Sequence, residues 1–161
     1  MAEYKIVDDF LPKNIFDKMV SDLGNLNLKW EFLPCNKPCT SKKTYFYFSH
    51  MVYWKTIENE RTLKVITPIL DKLNIKALIR VKMNLYTRTE SIDHHNDHCD
   101  AEFSHKGALF SLNTCDGFTV INGEEIPSVA NRMLLFDPSI MHHSTNCTND
   151  PCRMNINFNY F

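Results

Sequence analysis

No Cys-x-x-Cys pair occurs in this chain, so a zinc ribbon has no support. Cys35-x-x-x-Cys39 offers half a zinc site without a second half. The six cysteines (Cys35, Cys39, Cys99, Cys115, Cys147 and Cys152) read as reduced, scattered thiols. No sign of charge dominates either. Lys and Arg number 18 against 19 Asp and Glu, a formal net charge of −1. That balance argues against a broad nucleic-acid-binding surface. No apolar run approaches the roughly 20 residues needed to cross a bilayer. The opening MAEYKIVDDF has no signal-peptide hydrophobic region, so a cytoplasmic setting is expected. There is no internal repeat, low-complexity tract or linker.

What remains is an ordinary globular composition, 43% hydrophobic and 12% aromatic. The length of 161 residues suits a single domain over 1–161, with a core that needs no covalent staples. Tyr4 to Val7 form a short alternating stretch. DDFLPKNIFDKMVSDLG reads as a helix: Pro12 suits the first turn, Ile15, Phe16, Met19 and Leu23 share a face, and Gly24 is placed to end it. Trp30 to Thr44 reads as loop. TYFYFSHMVYW is rich in strand formers but alternates imperfectly. RTLKVITPILDKLNIK has helical spacing at Leu63, Ile66, Leu70 and Leu73, with Pro68 as a break or restart.

From Ile79 the signals become short strands and turns. In IRVKMNLYTR, Lys82, Asn84 and Tyr86 face one way and Val81, Met83 and Leu85 the other. ALFSLNT and RMLLFD read as strands. GFTVINGEEIPSVA contains Asn122-Gly123, a strong type I′ hairpin signal. In the closing RMNINFNYF, Arg153, Asn155, Asn157 and Asn159 oppose Met154, Ile156, Phe158 and Tyr160. Helices followed by about eight short strands predict a mainly β jelly roll with helices packed on one sheet. Residues 1–78 form its helical support and loop region, and 79–161 the jelly-roll core. If helices cover the apolar face of the first and last strands, their polar face points into the barrel and lines a wet pocket.

SIDHHNDHCD, Ser91 to Asp100, holds three histidines and three aspartates. It contains two His-x-Asp triplets, His95-Asn96-Asp97 and His98-Cys99-Asp100. Residues i and i+2 of a strand point to one side, so either triplet offers two ligands from one strand end. MHHSTN supplies a third ligand, His142 or His143. Two histidines and a carboxylate make the facial triad of non-haem Fe(II) oxygenases. Arg153 lies eleven positions after His142, on a regular strand, with Asn155 two residues on. An arginine clamps a carboxylate bidentately, as a dicarboxylate cosubstrate requires.

On these residues the chain resembles the 2-oxoglutarate- and Fe(II)-dependent oxygenases, which have a double-stranded β-helix fold. The matching pattern is His98-Cys99-Asp100, His142, Arg153 and Asn155. VKMNLYTRTE, FSLNT, NRMLLFD and the opening IVDDFLP extend it. It is most similar to small prolyl-hydroxylase-like members, including compact ones encoded by phages and other viruses, for which the setting would be the host cytoplasm. The family usually has Ser or Thr where Asn155 stands. The register of the family favours His98 and Asp100 over His95 and Asp97. The latter pair, three residues earlier on a continuous strand, would face the opposite way. Asp93, His94, His95 and Asp97 become mouth residues. The spacing to Arg153 favours His142, leaving His143 to point away or support a ligand.

The resemblance also implies cosubstrate contacts at Tyr86, with Asn84 and Ser111 as further partners. It implies Fe(II), 2-oxoglutarate and O2, with ascorbate as an accessory, and release of succinate and CO2 as a C–H bond is hydroxylated. A prolyl or other peptidyl residue is the substrate class it suggests; a small molecule is the other. The AlkB-type nucleic-acid demethylases carry a second Arg six residues after the first, and here that position is Asn159. KPCTSKKTYFYF combines lysines and aromatics suited to a lid or peptide platform. The competing class is a non-enzymatic jelly-roll module whose histidines are incidental or bind zinc. A cupin-type site would use more histidines and a Glu, and Glu124 and Glu125 belong to a solvated hairpin.

Overall fold

The computed structural model of the chain describes residues 4–34 and 45–161. Cys35, Cys39 and the Lys37–Thr44 part of the lid segment lie outside the described residues.

The elements run β1 (Lys5–Val7), α1 (Lys13–Asn25), β2 (Glu31–Pro34), β3 (Phe46–Trp54), β4 (Thr56–Ile57), α2 (Glu60–Val65), α3 (Thr67–Leu73), β5 (Leu78–Thr87) and β6 (Lys106–Ser111). They continue with β7 (Phe118–Ile121), β8 (Glu124–Pro127), β9 (Met133–Phe136), β10 (His142–Ser144) and β11 (Cys152–Tyr160). The larger sheet has the order β1-β9-β6-β11-β5-β3-β2, with β4 on β3. The smaller has the order β10-β7-β8. All strand pairs are antiparallel.

The helices cover one face of the larger sheet. Met19 and Leu23 of α1 and Ile66 and Ile69 beside them pack onto Val81, Met83, Phe110, Ile156 and Phe158. Each such side chain, fully withdrawn from water, contributes roughly 1.5–3 kcal/mol. A smaller cluster, Leu109, Ile121, Ile126, Leu134 and Phe136, fills part of the space on the other side. The apolar phase of β5 and β11 is therefore spent under the helices, and the polar phase turns inward.

Local chemistry explains most boundaries. The Asn59 side chain caps α2 by accepting from the Thr62 N–H at 2.9 Å. Pro68 sits in the first turn of α3, so the helical run restarts there as its spacing implies. Asn122 and Gly123 have φ of 52° and 81°, the two positive values a type I′ turn requires. A register shift between Met51 and Tyr53 accounts for the imperfect alternation of β3.

Three expectations need correction. Gly24 lies inside α1 instead of ending it; the helix closes through the Leu26 N–H on Leu23 O at 3.2 Å. Trp30 to Thr44 is not all loop, because Glu31–Pro34 pairs with β3 as an edge strand. An edge strand has one free side, which is why Pro34 is tolerated there and why its sequence carries a weak signal. The first 78 residues also supply β1 to β4, so they build sheet as well as cover it.

Candidate active site

β11 lies between β5 and β6 and sets the register of the inward face. Arg153 pairs with Tyr86, Asn155 with Asn84, Asn157 with Lys82 and Asn159 with Arg80. These residues form a buried polar ladder along two neighbouring strands. A cavity of about 220 Å³ opens above it. Lys82, Asn84, Tyr86 and Asn157 form its floor, and Thr119, His142 and Ser144 face them from the smaller sheet.

His98, Asp100 and His142 converge at this cavity, each offering a ligand atom within 4.8 Å of the others. Backbone pairing brings them together. The His98 N–H donates to His142 O at 3.0 Å and the His142 N–H to His98 O at 2.9 Å. The Asp100 N–H donates to Pro138 O at 2.8 Å. Gly107 makes room for that turn, since a Cβ there would stand 2.9 Å from the Pro138 ring.

Hydrogen bonds also select the tautomers. Nδ1 of His98 lies 3.1 Å from Asn96 O, and Nδ1 of His142 lies 2.7 Å from Ile140 O. A carbonyl only accepts, so each Nδ1 carries the hydrogen and each Nε2 keeps a lone pair for a metal. Burial pushes the His142 pKa down and favours the neutral ring. Burial opposes the charge on Asp100, but Arg80 and Asn159 outweigh it and hold the carboxyl at about 2. Arg80 Nη2 stands 2.7 Å from Asp100 Oδ1, and Asn159 Nδ2 donates to Oδ2 at 3.0 Å. Two imidazole nitrogens and one ionised carboxylate, with His98 open to solvent, fit a divalent metal that keeps free coordination positions.

The alternative pair takes no part in this cluster. The Asp97 carboxylate lies 2.6 Å from His143 Nδ1, and His143 Nε2 lies 2.9 Å from His94 Nδ1. That chain ties together the two segments that carry His98 and His142. His95 lies at the cavity mouth and does not face away as alternation on a continuous strand would require. Its ring stacks on Tyr45 at 4.1 Å between centroids, meets Tyr86 edge-on at 5.1 Å and lines the cavity. Residues 88–105 are not one continuous strand, so strict alternation does not govern them. Burial and the nearby Arg153 push His95 down to about 3, which leaves it neutral.

Arg153 is 1% exposed. Its Nη1 donates to Thr145 O at 2.9 Å and its Nη2 to Thr119 Oγ1 at 2.8 Å. Among the described residues the Nε has no hydrogen-bond partner, and the guanidinium lies 5.4 Å from the centre of the Tyr86 ring. No carboxylate of the described residues lies within ion-pair distance of it. Gly117 permits its stem to pass, since a Cβ there would lie 2.8 Å from Arg153 Cδ and 2.2 Å from Asn146 O. Asn84 Nδ2 donates to Asn155 Oδ1 at 2.9 Å, leaving Asn84 Oδ1 without a partner among the described residues. Asn84 and Tyr86 reach the cavity wall, whereas Arg153, Asn155 and Ser111 are buried behind it.

The sequence does not single out Arg80, and it leaves Lys82, on the pocket-lining face of β5, and Tyr47, in the lid stretch, without an assigned role. The signal for the first two is their phase on β5, shared with Asn84 and Tyr86. Tyr47 is recognisable only once β3 is docked beside β5, where its ring stacks on Tyr86 at 5.4 Å.

No family model and no curated protein matches the chain. Solved structures do. A 2OG-Fe(II) oxygenase family oxidoreductase from Burkholderia pseudomallei superposes with a TM-score of 0.68 at 10% identity, over 98% of this chain and 83% of that one. A prolyl hydroxylase from Trichoplax adhaerens, in complex with a hypoxia inducible factor oxygen degradation domain peptide, gives 0.65 at 15% identity, over 98% and 83%. The non-haem α-ketoglutarate-dependent epimerase SnoN of nogalamycin biosynthesis gives 0.65 at 14%, over 99% and 78%. The chain has the double-stranded β-helix fold of these oxygenases. Fold alone does not choose the reaction, so the chemistry rests on the site.

Proposed function

We propose that the chain is an Fe(II)- and 2-oxoglutarate-dependent oxygenase that hydroxylates a C–H bond of a prolyl or other peptidyl residue. The observation that carries this reading is the pairing of two incomplete sites at one cavity, the first lining it and the second buried just behind its wall. The His98, Asp100 and His142 cluster offers three ligands to a divalent metal. Arg153 holds a buried charge without an acidic partner among the described residues. A lone buried cation is costly unless an anion joins it. A small dicarboxylate that chelates the metal at one end and meets Arg153 at the other satisfies both.

In this reading His98, Asp100 and His142 hold Fe(II). When bound, the iron and 2-oxoglutarate supply the oxidising chemistry with O2, and ascorbate serves as an accessory reductant. The protein binds, orients and excludes water. Arg153 and the Tyr86 hydroxyl receive the distal carboxylate, with Asn84, Asn155 and Ser111 lining or backing its path. Arg80 and Asn159 keep Asp100 ionised and aimed. Tyr45, Tyr47 and neutral His95 wall the entrance with rings. The cavity of about 220 Å³ is smaller than the roughly 300–1,000 Å³ of a drug-sized pocket, which suits a small cosubstrate. The peptide in the Trichoplax adhaerens complex supports a peptidyl substrate.

The test is an anaerobic titration of metal-free protein with Fe(II) and 2-oxoglutarate, following the weak visible charge-transfer band of the chelate. The band should form in the wild type and be absent in His98→Ala. Folded wild-type protein without a band would overturn the reading and favour a zinc-binding or metal-free module.

A further inference from the structure

The cavity contains a second cation that neither the triad nor Arg153 accounts for. Lys82 projects from β5 in the same phase as Asn84 and Tyr86 and lines the cavity. Its ammonium lies 5.6 Å from the centre of the Tyr47 ring. It forms no hydrogen bond or ion pair with any described residue. The carboxylate that attracts it through space, Asp100, is already held by Arg80 at 2.7 Å and by Asn159 at 3.0 Å. Burial, reinforced by repulsion from Arg80, pushes Lys82 down to about 8. It remains mostly protonated near neutral pH, a half-buried charge in need of an anion.

Lys82 and Arg153 occupy opposite ends of one ring stack. The Arg153 guanidinium lies 5.4 Å from the Tyr86 ring, Tyr86 and Tyr47 stack at 5.4 Å, and the Lys82 ammonium lies 5.6 Å from Tyr47. Register places them the same way. Arg153 is opposite Tyr86, while Lys82 is opposite Asn157, whose amide approaches Asp100 at 3.5 Å. Lys82 therefore belongs to the triad's end of the cavity and Arg153 to the other. Lys82 lines one small cavity and Arg153 lies behind its wall, neither with a carboxylate partner among the described residues, and a dicarboxylate has two carboxylates.

We infer that Lys82 is a second cationic contact for the cosubstrate, pairing with the carboxylate of its 2-oxo acid end while Arg153 pairs with the distal carboxylate. This rests on the cosubstrate reading above and adds a prediction of its own. Removing Lys82 should weaken every 2-oxo acid. Removing Arg153 should weaken only those with a distal carboxylate.

The experiment is anaerobic calorimetry on protein loaded with Mn(II), using 2-oxoglutarate and 2-oxobutyrate, which lacks the distal carboxylate. Wild type, Lys82→Met, Lys82→Gln and Arg153→Met are compared, with Mn(II) binding as the check on folding. Lys82→Met should lose about tenfold or more in affinity for both acids, preserving the preference between them. Arg153→Met should erase that preference. Lys82→Gln, which keeps polarity without charge, should behave as Lys82→Met and serves if the latter misfolds. Affinities within twofold of wild type for both acids would overturn the inference and assign Lys82 to a substrate anion. Loss confined to 2-oxoglutarate would also overturn it, by moving Lys82 to the distal carboxylate. Failure of the wild type to bind 2-oxoglutarate would instead defeat the cosubstrate reading itself.

Discussion

The two faces of β11 are equally hidden from water and are occupied by opposite chemistry. On one, Ile156 and Phe158 are 0% exposed beneath the helices. On the other, Arg153 is 1% and Asn155 0% exposed. The apolar face is fully explained by burial against α1 to α3. The polar face is not explained by folding, since it leaves Arg153 Nε, Asn157 Oδ1 and Asn159 Oδ1 without hydrogen-bond partners among the described residues. Buried polar atoms without partners cost about 1–3 kcal/mol each. On the function proposed above, a strand that accepts this cost on one face while optimising the other divides its work between stability and ligand binding.

That division can be broken from either side. The largest expected effect is at the metal. His98→Ala or Asp100→Ala should abolish iron binding, whereas His95→Ala should retain it, as read by calorimetry with Fe(II) under argon. Equal losses in all three would undo the assignment of the triplets. Next comes the helix-covered face. Phe158→Ala should cost about 3–5 kcal/mol in urea unfolding while the remaining folded protein binds iron normally. If iron affinity fell with stability, the two faces would not be separable.

On the inward face the pattern should invert. Arg153→Met should weaken 2-oxoglutarate by about 2–3 kcal/mol, as expected for losing hydrogen bonds to a charged group. Its unfolding midpoint should fall without loss of the folded state, because Thr145 O and Thr119 Oγ1 lose a donor while no buried carboxylate is left stranded. Global unfolding of this variant would show that Arg153 is structural. The smallest effect is reserved for Tyr86→Phe. One lost hydrogen bond should cost about 1 kcal/mol of cosubstrate affinity, measured by the same titration. Unchanged affinity would remove the Tyr86 hydroxyl from the site.

Much of this was legible locally. The alternation of RMNINFNYF and IRVKMNLYTR identifies two strands with one polar face. Asn122-Gly123 marks its hairpin, and Pro68 marks the restart of a helix. The preference for His98 and Asp100 came from the register of a resembling family, and the structure brings those two together with His142. The misses have a common cause. β2 was read as loop because an edge strand is defined by its neighbour, not by its own pattern. Alternation does not orient His95, because its segment forms only isolated bridges with β10 and the residues just after it. The Arg80–Asp100 pair joins residues twenty positions apart that share no motif.

The sequence by itself determined periodicities, turns and the supply of ligands, because these depend on covalent spacing and on the residues a few positions away. Only the tertiary structure decided which polar groups meet. Setting β11 between β5 and β6 fixes the register of Arg153 with Tyr86 and of Asn159 with Arg80. Docking the smaller sheet then brings His142 to His98 and closes a cavity over Lys82. Convergence of charges from four separate segments is a property of packing, which periodicity does not encode.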